Sequence, residues 1–299
     1  MKPSRYKHNR HLRSSPFDGA QGKLDSSEMK LIEAILDGEI DPAYAARARL
    51  IAETVFGEKP ARILDAGCGR GFYLKLLSFF DFPKKIIGVD LNKEHLARAR
   101  EITKDNTCVT VQKASLLALP FRNNFFDLSV CSEVLEHITE DALALKELHR
   151  VLKPGGTLVV TVPNKNFPFF WDPLNWILMR AFNTHVPKDI WWLAGIWADH
   201  KRLYTAKKLR HVISDARYQI LNTTYCLSWC WPLTHFLLYG LGKNLVERCG
   251  VPMGDRFNFE KASTLSRLAA RLMRLPSALL DARLQTSSSM NIVMIAQKR

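Results

Sequence analysis

Apolar positions in "MKLIEAILDG" and "AYAARARLIAETVFG" recur at helical spacing and each run stops at a glycine, so the pattern predicts a helical stretch over residues 27–57. From Ala61 the period changes. Strand-like runs in "RILDAG", "KIIGVDL", "CVTVQK", "FFDLSVCS" and "TLVVTV" are interleaved with helix-like runs in "FYLKLLSFF", "KEHLARAREITK" and "DALALKELHRVL". Alternation of this kind predicts parallel strands joined by right-handed crossovers, hence an α/β chain with an open, doubly wound, mostly parallel sheet. Two further strand-like runs, "YQILNTTYCL" and "MNIVMIAQ", follow much later.

Two stretches break the alternation, residues 165–204 and 226–289, and read as helical hydrophobic inserts before and after the sixth strand. The core is then expected over 61–164, 205–225 and 290–297, within a single domain spanning 27–299. Residues 163–199 hold nine aromatics, among them five of the seven tryptophans. Plain packing, a hydrophobic acceptor pocket and a membrane-facing lid all fit that density. Residues 218–242 contain no Lys, Arg, Asp or Glu, which reaches the roughly 20 residues of a spanning helix; Pro232, His235 and the glycines favour a buried or interfacial helix instead. In "STLSRLAARLMRLPSALLDARL", Leu265, Leu268, Leu272 and Leu275 share one face and Arg267, Arg271 and Arg274 another. Such a helix either covers the sheet with its arginines solvated or uses them against an anionic membrane.

Composition narrows the partners. The chain has 299 residues, 47% of them hydrophobic, enough for a large folded core, and 43 Lys plus Arg against 29 Asp plus Glu give +14. That excess admits a membrane surface, a nucleic acid or an acidic substrate. The six cysteines lack zinc-type pairing and the density of a disulfide scaffold, so reduced thiols in a cytoplasmic protein are expected. "MKPSRYKHNRHLRSSPF" carries five Lys or Arg and no acid, and residues 1–26 read as a disordered basic arm rather than a signal.

Candidate chemistry centres on "ARILDAGCGRGFYLKLL". In doubly wound sheets the first strand-to-helix turn meets the ligand. Gly67, Gly69 and Gly71 follow a G-x-G-x-G spacing, whereas the dinucleotide fingerprint places its third glycine one residue later, and no P-loop Lys-Ser/Thr follows. Asp90, at the end of "IIGVD", is placed to accept from both hydroxyls of a ribose. Asp65 beside the glycines repels a pyrophosphate and suits an ammonium group. A nucleoside carrying an amino acid satisfies both acids.

"ILDAGCGRGFY", "IGVDLN", "ALPFRNNFFDLSVCSEVLEHI" and "LHRVLKPGGTLVVTVPN", spread over residues 61–164, resemble the successive motifs of class I S-adenosylmethionine-dependent methyltransferases of the broad small-molecule group. The resemblance implies a Rossmann-like sheet whose last two strands form an antiparallel edge, and S-adenosylmethionine as cofactor. It implies that Gly67, Cys68, Gly69 and Gly71 approach the methionine and adenosyl portions and that Asp65 orders the ammonium. Asp90 would hold the ribose and Leu91 an adenine face, with Ser115 and Leu116 beside the adenine and Ser132 and Glu133 at the methionine end. Ser115 departs from the family, which often has Asp there; a hydroxyl still accepts a hydrogen bond, more weakly.

In-line methyl transfer to oxygen, nitrogen or carbon follows by the same resemblance. The expected catalytic candidates are His200, His137 and Tyr204; His137 suits a cofactor shelf or a structural role better than that of a general base, and His200 equally suits a surface or helix-capping one. No metal site is expected. The acceptor is expected to be small or lipid-linked and hydrophobic, with peripheral attachment to an anionic membrane through the inserts. An "NPPY"-type base-methylating motif is absent, "CSEV" standing there instead, which disfavours nucleic acid. A non-catalytic membrane adaptor with a cofactor-binding core and a nicotinamide-dependent oxidoreductase are the alternatives.

Overall fold

The computed structural model describes residues 26–187, 189–190, 193–242, 264–281 and 286–299. The basic arm, apart from its last residue, lies outside them, as do Trp191, Trp192 and the segment 243–263. Two helices come first, α1 (Ser26–Leu36) and α2 (Pro42–Glu58), the second capped by Asp41, whose side chain accepts from Ala43 N and Tyr44 N. The expected alternation follows: β1 (Arg62–Ala66), α3 (Phe72–Leu77), β2 (Lys85–Asp90), α4 (Lys93–Ile102), β3 (Val109–Lys113), β4 (Phe126–Ser132), α5 (Asp141–Val151) and β5 (Leu152–Pro163). Then come α6 (Pro173–Ala181), α7 (Ala206–Asp215), β6 (Tyr218–Cys226), α8 (Thr264–Leu280) and β7 (Asn291–Lys298).

The seven strands lie in the order β3-β2-β1-β4-β5-β7-β6. Pairings from β3 to β5 are parallel, and β7 runs antiparallel to both neighbours, as the final strand pair was expected to do. Strand order reverses between β1 and β4, so the carboxyl ends of these two strands open onto a shared crevice. Each face of the sheet buries its own core. Ile32, Ile51, Val55, Leu74 and Leu96, from α1 to α4, pack with Ile63, Leu128 and Val159 on one side. Leu145, Leu148, Leu209 and Ile213, from α5 and α7, pack with Leu64, Phe126 and Leu158 on the other.

A third apolar cluster sits over the crevice end. Phe167, Trp171, Ile196 and Leu203 from the first insert meet Leu227 and Cys230 from the second, with Ala43 and Met290. Each insert therefore supplies the packing layer that the other lacks.

Two expectations change. The uncharged run 218–242 is β6 as far as Cys226 and ends in a π-helical turn over Phe236–Gly242, so it contains only a short helix. The α8 helix forms, but its arginines are drawn toward α1: Arg274 is turned in, while Arg267 and Arg271 stay 48% and 72% exposed facing Asp37. Arg274 donates through Nη2 to Leu36 O and Glu39 O at the end of α1, and Arg267 and Arg271 lie 3.7 and 3.4 Å from Asp37. The leucines turn outward instead, with Leu268, Leu272 and Leu279 53–55% exposed. Free carbonyls at a helix end attract guanidinium donors, and that attraction sets which face of α8 points in.

Candidate active site at the carboxyl ends of the strands

The loop after β1 satisfies its own amides. Gly67 N and Cys68 N both donate to Val89 O (2.8 and 2.9 Å), Gly69 N to Asp90 Oδ2 (2.9 Å) and Gly71 N to Cys68 O (2.9 Å). These four groups have no capacity left for a phosphate, so the loop is not an anion cradle. Gly69, at φ +51°, faces open space, and a Cβ built on it meets nothing within 4 Å. Gly71, at φ +87°, is a close-approach position, where a Cβ would fall 2.9 Å from Ala99 Cα of α4.

Beside this opening, Asp65 is 1% exposed and its Oδ2 has no hydrogen-bond partner among the described residues. Burial, with the nearby Asp90 carboxylate adding to it, pushes its carboxyl up to about 8. Asp90 also accepts from Asn92 N through Oδ1 at 2.8 Å. Leu91 projects bare, 59% exposed, while Cys68 and Leu116 are buried. Burial, then Asp65 and Asp90, raise the Cys68 thiol, which rules it out as a thiolate nucleophile. Ser115 Oγ accepts from Leu117 N at 3.2 Å and shapes the turn after β3.

The end of β4 is built differently. Glu133 holds φ +56°, uncommon for a non-glycine residue. Its Oε1 accepts from Thr161 Oγ1 (2.7 Å) and its Oε2 from Asn291 Nδ2 (2.8 Å), and Asn291 Oδ1 in turn accepts from Arg47 Nη1 (3.2 Å). Burial opposes the charge on Arg47, but Glu133, Tyr73, Asp41 and Tyr44 together outweigh it and the guanidinium pKa is raised. Ser132 Oγ joins the same network, 2.8 Å from Thr161 Oγ1 and 3.2 Å from Tyr73 Oη. Glu133 is thus clamped to β5, β7 and α2, and it keeps one lone pair per oxygen for a ligand. Sequence pattern gave no hint of Arg47 or Asn291, which lie 244 positions apart.

One turn further, Glu136 is fully buried, and neither carboxylate oxygen has a hydrogen-bond partner among the described residues. Burial and then Glu133 hold its carboxyl well above the ordinary range. His137 Nε2 and His200 Nε2 approach its Oε1 at 3.8 and 3.9 Å, and the two imidazole centroids are 4.9 Å apart. Each imidazole places Nδ1 against a main-chain carbonyl, Asp199 O at 2.9 Å for His137 and Ile196 O at 2.5 Å for His200. Burial, followed by His137, lowers the His200 pKa. The structure brings together two of the three expected catalytic candidates; the neighbouring Glu136 in "EVLEHI" escaped the sequence pattern. Tyr204 is a correction. It is 0% exposed, its hydroxyl donates to Asp141 Oδ2 at 2.5 Å, and burial raises its pKa, so it works as an internal strut.

Residues 64–160 match the family model described as a methyltransferase domain. A probable S-adenosylmethionine-dependent methyltransferase of Mycolicibacterium smegmatis is 32% identical over 34% of this chain and 38% of its own. Over this stretch the chain is similar to S-adenosylmethionine-dependent methyltransferases. A ubiquinone biosynthesis O-methyltransferase of Vibrio cholerae is 28% identical over 52% of this chain and 66% of its own. Curated relatives at 32–35% identity are covered over only 37–47% of their length. The crystal structure of the cyclase SpnF superposes with a TM-score of 0.55 at 20% identity, covering 91% of this chain and 94% of that one, which establishes the fold alone.

The residues at these strand ends fit S-adenosylmethionine. Asp65 offers an orphaned, buried oxygen to a cation, the engaged loop amides exclude a pyrophosphate, and Asp90 and the bare Leu91 lie where a ribose and an adenine need an acceptor and an apolar face.

Proposed function

We propose that this protein transfers the methyl group of S-adenosylmethionine to a small or lipid-linked acceptor with an apolar body. The observation that carries it is Asp65 Oδ2, buried and unpartnered beside amides that are already engaged. When bound, the cofactor supplies an electrophilic methyl and a thioether leaving group. The protein's part is to hold the acceptor in line with that methyl and to remove its proton, tasks that fall to the groups at the end of β4.

Two cavities in the inserts support an amphiphilic acceptor. One, of about 780 Å³, is lined by Met179 and Trp197 together with Lys165, Arg180, Lys201 and Arg202, with no carboxylate in its lining. The other, of about 470 Å³, is lined by Phe169, Phe170 and Trp229. An apolar body with an acidic end matches both. The Vibrio relative's name makes an oxygen nucleophile the first to test.

Attachment to an anionic bilayer is part of the same proposal, supported by the outward leucines of α8, by Trp231, Leu233 and Leu237 exposed nearby in the chain fold, and by the charge of +14. Among the described residues no helix is long and apolar enough to cross a membrane. Calorimetry with S-adenosylhomocysteine and with reduced nicotinamide cofactor tests the cofactor, and transfer of a labelled methyl to lipid and aqueous extracts tests the acceptor. Binding of the nicotinamide cofactor without S-adenosylhomocysteine would overturn the proposal.

A further inference from the structure

The side chains of the cluster at the end of β4 stand 3.8 and 3.9 Å apart, too far to hydrogen-bond to one another. An imidazole whose Nδ1 faces a carbonyl oxygen must carry its proton there, because a carbonyl only accepts. In the neutral ring Nε2 is then a bare lone pair. This holds for both His137, against Asp199 O, and His200, against Ile196 O. Their two Nε2 atoms face a third lone-pair donor, Glu136 Oε1, at 3.8 and 3.9 Å. Neither Glu136 oxygen has a hydrogen-bond partner among the described residues. The nearest cationic side chains in sequence are engaged elsewhere: Lys201 Nζ donates to Thr139 Oγ1, and Arg202 pairs with Asp141. Three side chains converge on one point without bonding to one another, and with Glu136 ionised they offer three lone pairs to a cation.

We infer that Glu136, His137 and His200 bind a divalent transition-metal ion. All three ligand atoms lie within 4.8 Å of one another. A first-row ion takes imidazole nitrogen at about 2.0–2.1 Å and carboxylate oxygen at about 2.0–2.2 Å, which puts tetrahedral ligand atoms about 3.4 Å apart. The two glutamate–histidine separations exceed this by roughly half an ångström and the third pair lies within 4.8 Å, so side-chain torsions bring the three ligands onto one ion. Two imidazoles and one carboxylate suit zinc, cobalt, manganese or iron and are a poor set for magnesium or calcium, which prefer all-oxygen shells. The Nδ1–H to carbonyl bonds are the outer contacts that orient metal-ligating histidines.

The placement has a functional consequence that rests on the methyl-transfer proposal. Glu136 and His137 ride on the turn Leu135–His137 directly after β4, and His200 follows the turn Gly195–Trp197 of the first insert. A bound ion would fasten the insert to the sheet's carboxyl edge. Three protein ligands leave further positions for an acceptor oxygen, and coordination lowers the pKa of a hydroxyl so that its proton leaves to water without a dedicated base. The acceptor class is then a metal-coordinating hydroxyl compound.

The test is metal content and affinity in tag-free, full-length protein. After chelator dialysis, zinc or cobalt is titrated back and read by plasma mass spectrometry and by the cobalt absorption spectrum. One equivalent is expected, with a spectrum free of thiolate charge-transfer bands, and Glu136→Gln and His200→Ala should each weaken binding by more than roughly 100-fold. The melting temperature and S-adenosylhomocysteine affinity of each metal-free variant report whether it is folded, and His137→Asn provides a third, sterically conservative variant. No binding by wild type, or equal binding by all folded variants, overturns the site. If S-adenosylhomocysteine still binds in that case, the methyltransferase proposal survives; if metal binds and S-adenosylhomocysteine does not, the metal site survives without it.

Discussion

Asp90 Oδ2 accepts a hydrogen bond from Gly69 N at 2.9 Å, so the carboxylate expected to hold the ribose also holds the glycine loop. Asp90→Ala should remove both functions. Charge-assisted bonds are worth roughly 1.5–3 kcal/mol each, so S-adenosylhomocysteine affinity should fall by about two to four orders of magnitude, with a lower melting temperature because Gly69 N loses its acceptor. Asp90→Asn should rescue the melting temperature better than the affinity. Calorimetry and thermal denaturation of the two variants check this, and unchanged affinity in either contradicts the ribose assignment.

The Asp65 carboxyl, raised on folding from an unfolded value near 3.8 to about 8, gives a pH signature. Between those values the folded state binds the additional proton, so this group's stabilising contribution is fully present below about 3.8 and is lost as pH rises through about 8. An ammonium ligand needs the ionised form, so cofactor affinity should rise with pH toward about 8, by up to about tenfold per unit. Urea denaturation and S-adenosylhomocysteine titration across this range should show both slopes in wild type, with the affinity slope lost and the stability slope reduced in Asp65→Asn.

The glycines of the loop should separate binding from folding. At Gly69 a methyl group enters open space, so Gly69→Val should abolish S-adenosylhomocysteine binding, while its positive φ costs about 1 kcal/mol of stability. At Gly71 the added carbon strikes the α4 backbone at Ala99, so Gly71→Val should unfold the protein or lower its melting temperature severely. A folded Gly71→Val variant would show that α4 yields more easily than close packing allows.

On α8, the leucines rather than the arginines should control attachment to anionic vesicles. Replacing Leu268, Leu272 and Leu275 with Gln should release the protein in co-sedimentation, since each buried leucine contributes roughly 1.5–3 kcal/mol. Arg274→Ala should instead lower the melting temperature, by about 2–6 °C, because the α1 carbonyls of Leu36 and Glu39 lose their donor. Retention of the leucine variant on vesicles would assign membrane contact to another surface.

The sheet was legible because its determinants are local: each apolar run of four to six residues followed by an amphipathic helix dictates the next crossover, and Asp65, Gly69 and Asp90 sit at the strand ends such a topology exposes. The orientation of α8 was not legible, because periodicity defines two faces without saying which turns inward. That choice is made by Asp37 and the carbonyls of Leu36 and Glu39, over 230 positions away. Tyr204 was misjudged for a similar reason, since its hydroxyl is removed from the site by Asp141, 63 positions earlier. Glu136 carries no mark of its isolation in sequence; only burial without a partner reveals it.

The apolar cluster that joins the two inserts draws on Ala43, on Phe167 to Leu203, on Leu227 and Cys230, and on Met290 at the threshold of β7. Contacts so distant along the chain carry a large loop-closure cost and form late in folding. The sheet can pair β1 to β5 from neighbouring segments, whereas the roof over its crevice waits for β7 to slot between β5 and β6. On that order the crevice beside β1 and β4 is expected to take shape before the inserts close over it, so a ligand added early in refolding would meet it open on that side.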